Sequence, residues 1–171
     1  MTIGILGNCG ILAGISFTER LIELYALKKN VTNEYDYPRY ILYGNPKLPS
    51  RSRHIFFGEE SPLEILKEDI KKINSYGVKF IVMPCNTVHY YYNELQSVSS
   101  VKILNMIKIV SDYINTYHFN SKVLILGTEA TYKSKLYNNY GMKNNTYYND
   151  IKTVREIIDD VKHQKISENT L

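Results

Sequence analysis

Apolar positions along this chain fall into two alternating periods. Ile3 to Leu6, Tyr40 to Tyr43, Val78 to Val82, Val101 to Leu104 and Lys122 to Leu126 are short runs that read as buried strands. Between them, apolar residues recur at spacings of three and four, the mark of amphipathic helices. They are Phe17, Leu21 and Leu24, then Leu63, Leu66, Ile70 and Ile73, then Met106, Val110, Tyr113 and Tyr117. Ser61-Pro62-Leu63-Glu64 reads as a capping box with Pro at the first helical position, and Tyr76-Gly77 ends that helix. Helices are also expected over Val88 to Leu95 and Ala130 to Tyr140, with a weak strand at Thr146 to Tyr148. Ile151, Val154, Ile158 and Val161 mark a closing helix. Pro49-Ser50-Arg51-Ser52-Arg53 reads as loop. Strands alternating with helices predict an α/β fold, a parallel-sheet α/β/α sandwich with helices on both faces.

The pattern echoes itself. Ile3-Gly4-Ile5-Leu6-Gly7-Asn8 resembles Val123-Leu124-Ile125-Leu126-Gly127-Thr128, each an apolar run closed by Gly and a small hydrogen-bonding residue. The echo predicts a first α/β domain over residues 1–118 and part of a pseudo-symmetric second domain over 119–171.

Composition narrows the function classes. A 44% hydrophobic content supports a true core, and a net charge of +4, spread without basic blocks, predicts no nucleic-acid partner. No apolar run reaches membrane-spanning length and no signal-peptide pattern opens the chain, so no membrane partner and a cytoplasmic location are expected. Cys9 and Cys85 are too few for a disulfide framework. Cys85 and His89, even with Cys9, fall short of a structural zinc set, so no metal is expected.

Candidate chemistry gathers in Met83-Pro84-Cys85-Asn86-Thr87-Val88-His89, just past the third strand. Ligands of open α/β sheets collect at the carboxyl ends of the strands. A thiol at a strand end before a helix start has its thiolate favoured by free backbone N–H groups, which makes Cys85 a candidate nucleophile or base. His89 is placed either to orient the loop through a hydrogen bond or to pack. The glycines of Gly7-Asn8-Cys9-Gly10-Ile11-Leu12-Ala13-Gly14 do not match a dinucleotide or Walker pattern, and a small-anion site fits that loop better. Arg51, after the second strand, can hold a carboxylate through two N–H groups.

These residues resemble the aspartate/glutamate racemase family, the cofactor-independent amino-acid racemases. The cysteine heptapeptide is close to the family's PCNTAH signature, with Tyr90-Tyr91-Tyr92-Asn93-Glu94-Leu95-Gln96 directly behind it. Further matches are Ile3 to Gly7, Asn45-Pro46, Pro49-Ser50-Arg51, Ile103-Leu104-Asn105-Met106 and Leu126-Gly127-Thr128-Glu129-Ala130-Thr131. Ile157 to Ile166, with Lys162 inside, resembles the family helix that carries a substrate-facing Lys.

The resemblance implies an isomerase that inverts the α-carbon of an amino acid without pyridoxal phosphate or any other cofactor. Cys85 would be the catalytic thiolate. Asn86, Thr87 and Thr128 would be hydrogen-bond donors, and Arg51 and Lys162 would anchor carboxylates of a substrate such as aspartate or glutamate. Family enzymes are often dimers, so a homodimer is the implied assembly. Two departures stand out. The family's first loop reads GGMGPLAT, unlike Gly7 to Gly14 here, and its GCTE motif with a second catalytic cysteine would fall beyond Leu171. The expectation is therefore a racemase-type site truncated in its second domain, with Cys9 as the substitute thiol to be weighed. The alternative is an inactive remnant that binds a small carboxylate or an oligomeric partner.

Overall fold

The structure is a computed structural model, described over residues 1–7 and 9–162, with the side chain of Lys162 excluded. A parallel four-stranded sheet has the order β2–β1–β3–β4, formed by β1 (Thr2–Leu6), β2 (Arg39–Tyr43), β3 (Phe80–Val82) and β4 (Lys102–Leu104). Helices α1 (Ile11–Lys29), α2 (Arg51–Phe57), α3 (Leu63–Ser75), α4 (Tyr92–Val98) and α5 (Met106–Tyr117) connect and flank it. A second, two-stranded parallel sheet joins β5 (Val123–Ile125) to β6 (Asn145–Tyr147), with short helices α6 (Glu129–Lys133) and α7 (Leu136–Asn139), then α8 (Ile151–Lys162). The predicted α/β architecture with a parallel sheet is observed.

Register follows from burial. Ile3 pairs with Tyr40 and Phe80, and Gly4 with Ile41 and Ile81, so β1 lies central with partners on both sides. Side chains alternate across a strand. On one face Leu6, Ile81 and Ile103 meet Leu66, Ile70 and Ile73 of α3 and Leu95 of α4 in the main core. A Cβ on Gly4 would lie 2.6 Å from Ile73 Cγ2, which is why β1 carries glycine there. The capping box forms only in part: Ser61 Oγ accepts from Leu63 N at 3.3 Å, while Glu64 turns away to pair with Lys67. Asn45, after β2, is tied to the buried Asp69 of α3, donating from Nδ2 at 3.2 Å.

α1 departs from its predicted face. It buries Gly14 and Thr18 rather than an apolar stripe; Phe17 and Leu21 are half-buried and Leu24 is exposed. A Cβ on Gly14 would stand 2.8 Å from Gly7 Cα, so helix and strand end meet backbone to backbone. Small residues make that contact, and apolar periodicity is blind to it.

Two more predicted elements change form. The helix expected over Ala130 to Tyr140 breaks at Lys135, whose backbone is left-handed at φ 45°; Asn139 Nδ2 donates to the freed Ser134 carbonyl at 2.8 Å. The segment Pro49 to Arg53, read as loop, enters helix at Arg51. Ser50 Oγ accepts from Arg53 N at 3.3 Å as its N-cap, and Gly58 closes it at φ 70°.

A second apolar cluster joins the two sheets' neighbourhoods. Ile107 of α5, with Met106, Val110 and Ile114 against it, packs with Ile125, Leu136, Tyr137 and Met142. Among the described residues no helix is long and apolar enough to cross a membrane.

Candidate active site

The strand order creates the site. β1 connects outward to β2 and β3 connects outward to β4, so the loops after β1 and β3 diverge from neighbouring strands. Such a switch point leaves a crevice at the carboxyl ends of the strands. Cys9 stands in the first of these loops and Cys85 in the second. Both line one cleft of about 200 Å³ together with Ala13, Arg51, Ser52, Pro84, Asn86, Thr87, Leu126, Gly127, Thr128, Thr131 and Ile158. The structure thus gathers Cys85, Arg51, Asn86, Thr87 and Thr128 in one place. Lys162 closes α8, but its side chain lies outside the described residues.

The two thiols share this cleft and interact. The Cys9 thiol donates a hydrogen bond to the Cys85 thiolate, and that contact chiefly holds the Cys85 pKa down to about 6. Burial opposes it. The Arg51 cation and the backbone N–H groups of Val88 and Thr87 add to the lowering. Cys9 moves the other way, pushed well above the ordinary thiol value by the same contact and by its burial. One proton therefore stays on Cys9, and Cys85 carries negative charge near neutral pH.

The turn after Cys85 is not the α-helix that the sequence predicts. Thr87–Tyr91 winds as a tighter 3₁₀ helix before α4 begins. His89 explains how the turn is held. It is buried, its Nδ1 donates to the Cys85 carbonyl at 2.8 Å, and its Nε2 accepts from Met106 N at 3.1 Å. The two partners fix the neutral tautomer, and burial lowers the pKa below the ordinary imidazole value. Of the two roles open to it, His89 takes the orienting one: it clamps the cysteine loop to the start of α5.

Arg51 is the first residue of α2, and its Nη2 donates to the Cys9 carbonyl. Its Nε is buried without a hydrogen-bond partner among the described residues, while the residue lines the cleft. Asn86 Oδ1 accepts from the Tyr137 hydroxyl at 3.2 Å, leaving the Asn86 amide N–H groups for a ligand. Thr87 and Thr128 bring their hydroxyls to 3.2 Å, and Thr128 caps α6 by accepting from Thr131 N at 3.4 Å. The Thr128 hydroxyl also lies 3.3 Å from that of Thr131, so the three hydroxyls form one chain along the cleft.

Several lining residues went unread in the sequence. Ser52 was hidden with its helix, although Ser50 and Gly58 bracket α2 as cap and stop. Thr131 and Ile158 reach the cleft from α6 and α8 and carry no local signal of that role. The mouth beside them is laced by Arg155, 3.3 Å from Glu129 and 3.8 Å from Asp159. Among the described residues no group of three or more His, Cys, Asp or Glu side chains is placed to hold a metal ion.

Known proteins resemble this chain in sequence and in fold. The broad specificity amino-acid racemase RacX of Bacillus subtilis (strain 168) is 33% identical over 135 residues, which make up 79% of this chain and 58% of that protein. This chain therefore spans little more than half the length of that relative. The Picrophilus torridus aspartate racemase superposes with a TM-score of 0.84 at 30% identity, covering 96% of this chain and 69% of the other. An aspartate racemase homologue from Pyrococcus horikoshii OT3, at 22% identity and a TM-score of 0.66, shares the fold over 94% of this chain and 69% of its own. A family model described as Asp/Glu/Hydantoin racemase matches residues 6–169, and with these relatives it shows that the chain belongs to that family.

Proposed function

We propose that the cleft is a cofactor-independent amino-acid racemase site in which the Cys85 thiolate removes the α-proton of a small amino acid. The observation that carries this reading is the convergence of Cys85, Arg51, Asn86, Thr87 and Thr128 on one cleft at the strand ends, where the thiol pKa is lowered. Removing an α-proton places charge on the α-carbon and its carboxylate. Donors fixed in advance around that carboxylate stabilise the charge without reorganising. Arg51, the Asn86 amide, Thr87 and Thr128 are the donors, and Lys162 is assigned the second cationic anchor. Aspartate and glutamate are the favoured substrates, since two carboxylates suit two cations. Residues 1–118 and 119–171 are read as the two halves that close on the ligand.

The contact between the thiols limits what Cys9 can do. Inversion needs a base on one face of the α-carbon and an acid on the other. Cys9 comes from the neighbouring loop of the same sheet and interacts with Cys85, so it is read as the base's partner and not as the opposing acid. Among the described residues, the lining from the second half, Leu126, Gly127, Thr128, Thr131 and Ile158, offers hydroxyls and apolar groups.

The test is α-carbon deuterium uptake by L-aspartate and L-glutamate in heavy water, followed by NMR, with chiral chromatography in parallel. Uptake that disappears in Cys85→Ser supports the reading. Uptake unchanged in that variant, or none with any amino acid offered, overturns it.

A further inference from the structure

The thiol pair does something that proton transfer does not require. We infer that Cys9 and Cys85 form a reversible redox pair, in which a small hydroperoxide oxidises Cys85 in the cleft and Cys9 resolves the product as an intramolecular disulfide. The inference goes beyond the proposed racemase chemistry, because it needs no amino-acid substrate.

Three observations carry it. The two thiols line one cleft of about 200 Å³ at the crevice between the β1 and β3 loops and interact with each other there. Their exposure is unequal. Cys85 is half-buried and opens on the cleft, whereas Cys9 is only 6% exposed. A small oxidant entering the cleft therefore meets Cys85 first. Their charge is unequal as well: the thiolate sits on Cys85 and the proton on Cys9, which divides the pair into a peroxide-reactive sulfur and a resolving one.

The steps balance. The Cys85 thiolate attacks one peroxide oxygen, the O–O bond breaks, and hydroxide leaves and takes a proton as water. Sulfur has lost two electrons to the peroxide and stands as a sulfenic acid. The Cys9 sulfur then attacks the Cys85 sulfur. An S–S bond forms, the S–O bond breaks, and the departing hydroxyl takes the Cys9 proton as a second water. A dithiol reductant reverses the result by exchange. The disulfide removes the thiolate from the cleft, and it also spares Cys85 from the irreversible higher acids.

The experiment treats the full reduced chain with hydrogen peroxide, blocks remaining thiols in denaturant with iodoacetamide, and reads mass. The parent chain should lose two hydrogens, resist alkylation at both cysteines, yield a Cys9–Cys85 linked peptide, and recover both thiols with dithiothreitol. Cys9→Ser and Cys9→Ala should form no such disulfide, give a dimedone adduct at Cys85, and proceed to sulfinic acid. Sulfinic acid forming on Cys85 as fast in the parent as in both variants would overturn the inference. So would a disulfide that only joins two chains. Mass alone decides these outcomes, so failed deuterium uptake in the reduced chain counts against the racemase reading and not against this one.

Discussion

The hydroxyls of Thr87 and Thr128 meet at 3.2 Å, joining the turn after β3 to the start of α6. Tyr137 and Tyr140 reinforce the same seam, reaching Asn86 Oδ1 at 3.2 Å and the His89 carbonyl at 3.4 Å. The cleft is therefore closed by side chains that belong to both sheets' surroundings. Replacing Thr128 by Val should remove the contact and the α6 cap together. A neutral hydrogen bond contributes about 0.5–1.5 kcal/mol net, and losing a cap costs about 1 kcal/mol. Thr87→Val and Thr128→Val should couple by about 0.5–1.5 kcal/mol in a double-mutant cycle of urea unfolding. Strict additivity would mean the two hydroxyls do not interact.

Cys85 should alkylate as a thiolate over the physiological range. Its pKa is lowered to about 6, so the rate of reaction with iodoacetamide should rise with pH through a midpoint near that value and flatten above it. Cys9, raised well above the ordinary thiol value, should stay unreactive in the folded protein at neutral pH. The lowered Cys85 pKa also makes a stability contribution that is complete above the ordinary thiol value and lost as pH falls through about 6. Peptide mapping after timed labelling reads both cysteines at once. Equal labelling of the two at neutral pH would sink the assignment.

Arg51 supports the thiolate from beside it, so Arg51→Ala should shift the Cys85 alkylation midpoint upward. The same variant should weaken binding of a dicarboxylic amino acid by roughly 10-fold or more, from about 1.5–3 kcal/mol for a hydrogen bond to a charged group. Calorimetry and labelling separate the two effects. A midpoint that does not move would leave Arg51 with no electrostatic part in the site.

His89→Leu should be costly to stability rather than to chemistry alone. It strands the Cys85 carbonyl and the Met106 N–H, at about 1–3 kcal/mol for each buried group left unpaired. In the parent, burial keeps the folded imidazole pKa below the ordinary value, so the unfolded chain takes up the proton first on acidification. Stability should accordingly fall as pH drops below about 6.5, the ordinary histidine value. Denaturant melts across that range check the sign, and the acid-side loss contributed by this residue should vanish in the variant.

Gly14→Ala should destabilise although it replaces glycine inside a helix, where propensity alone favours alanine. The added Cβ would stand 2.8 Å from Gly7 Cα, and backbone cannot swing aside as a side chain can. Overpacking of this kind costs about 1–3 kcal/mol, more than the helix gain of about 1 kcal/mol. A higher urea midpoint than the parent's would show that α1 can lift off β1 freely.

The strands and the cysteine motif were legible because both are local. Ile81, Ile103 and Ile125 sit in apolar runs, and Pro84 to His89 declares itself in consecutive residues. What escaped was either short or long-range. α2 has a cap at Ser50 and a stop at Gly58 but too few turns for an apolar period to emerge. The face of α1 was misread because glycine and threonine make its contact. The meeting of Cys9 with Cys85 depends on β1 pairing directly with β3, Ile3 against Phe80 and Ile5 against Val82, and strand order is not written in any local pattern. The half of the cleft drawn from Thr131 and Ile158 depends in the same way on where α6 and α8 come to rest.

The two sheets differ in how firmly they can hold that cleft. β1 pairs along all five of its residues on one side and along three on the other, whereas β5 and β6 share a single ladder of three pairs. A lone two-stranded ladder is marginal in water and leans on the helices packed against it. Amide protons of Val123 and Ile125 should thus exchange with solvent through local openings that leave Ile5 and Ile81 protected. A molecule bridging Thr87 and Thr128 would slow that exchange in proportion to its affinity. The weaker sheet would then serve as a gauge of occupancy, readable amide by amide before any chemistry is assayed.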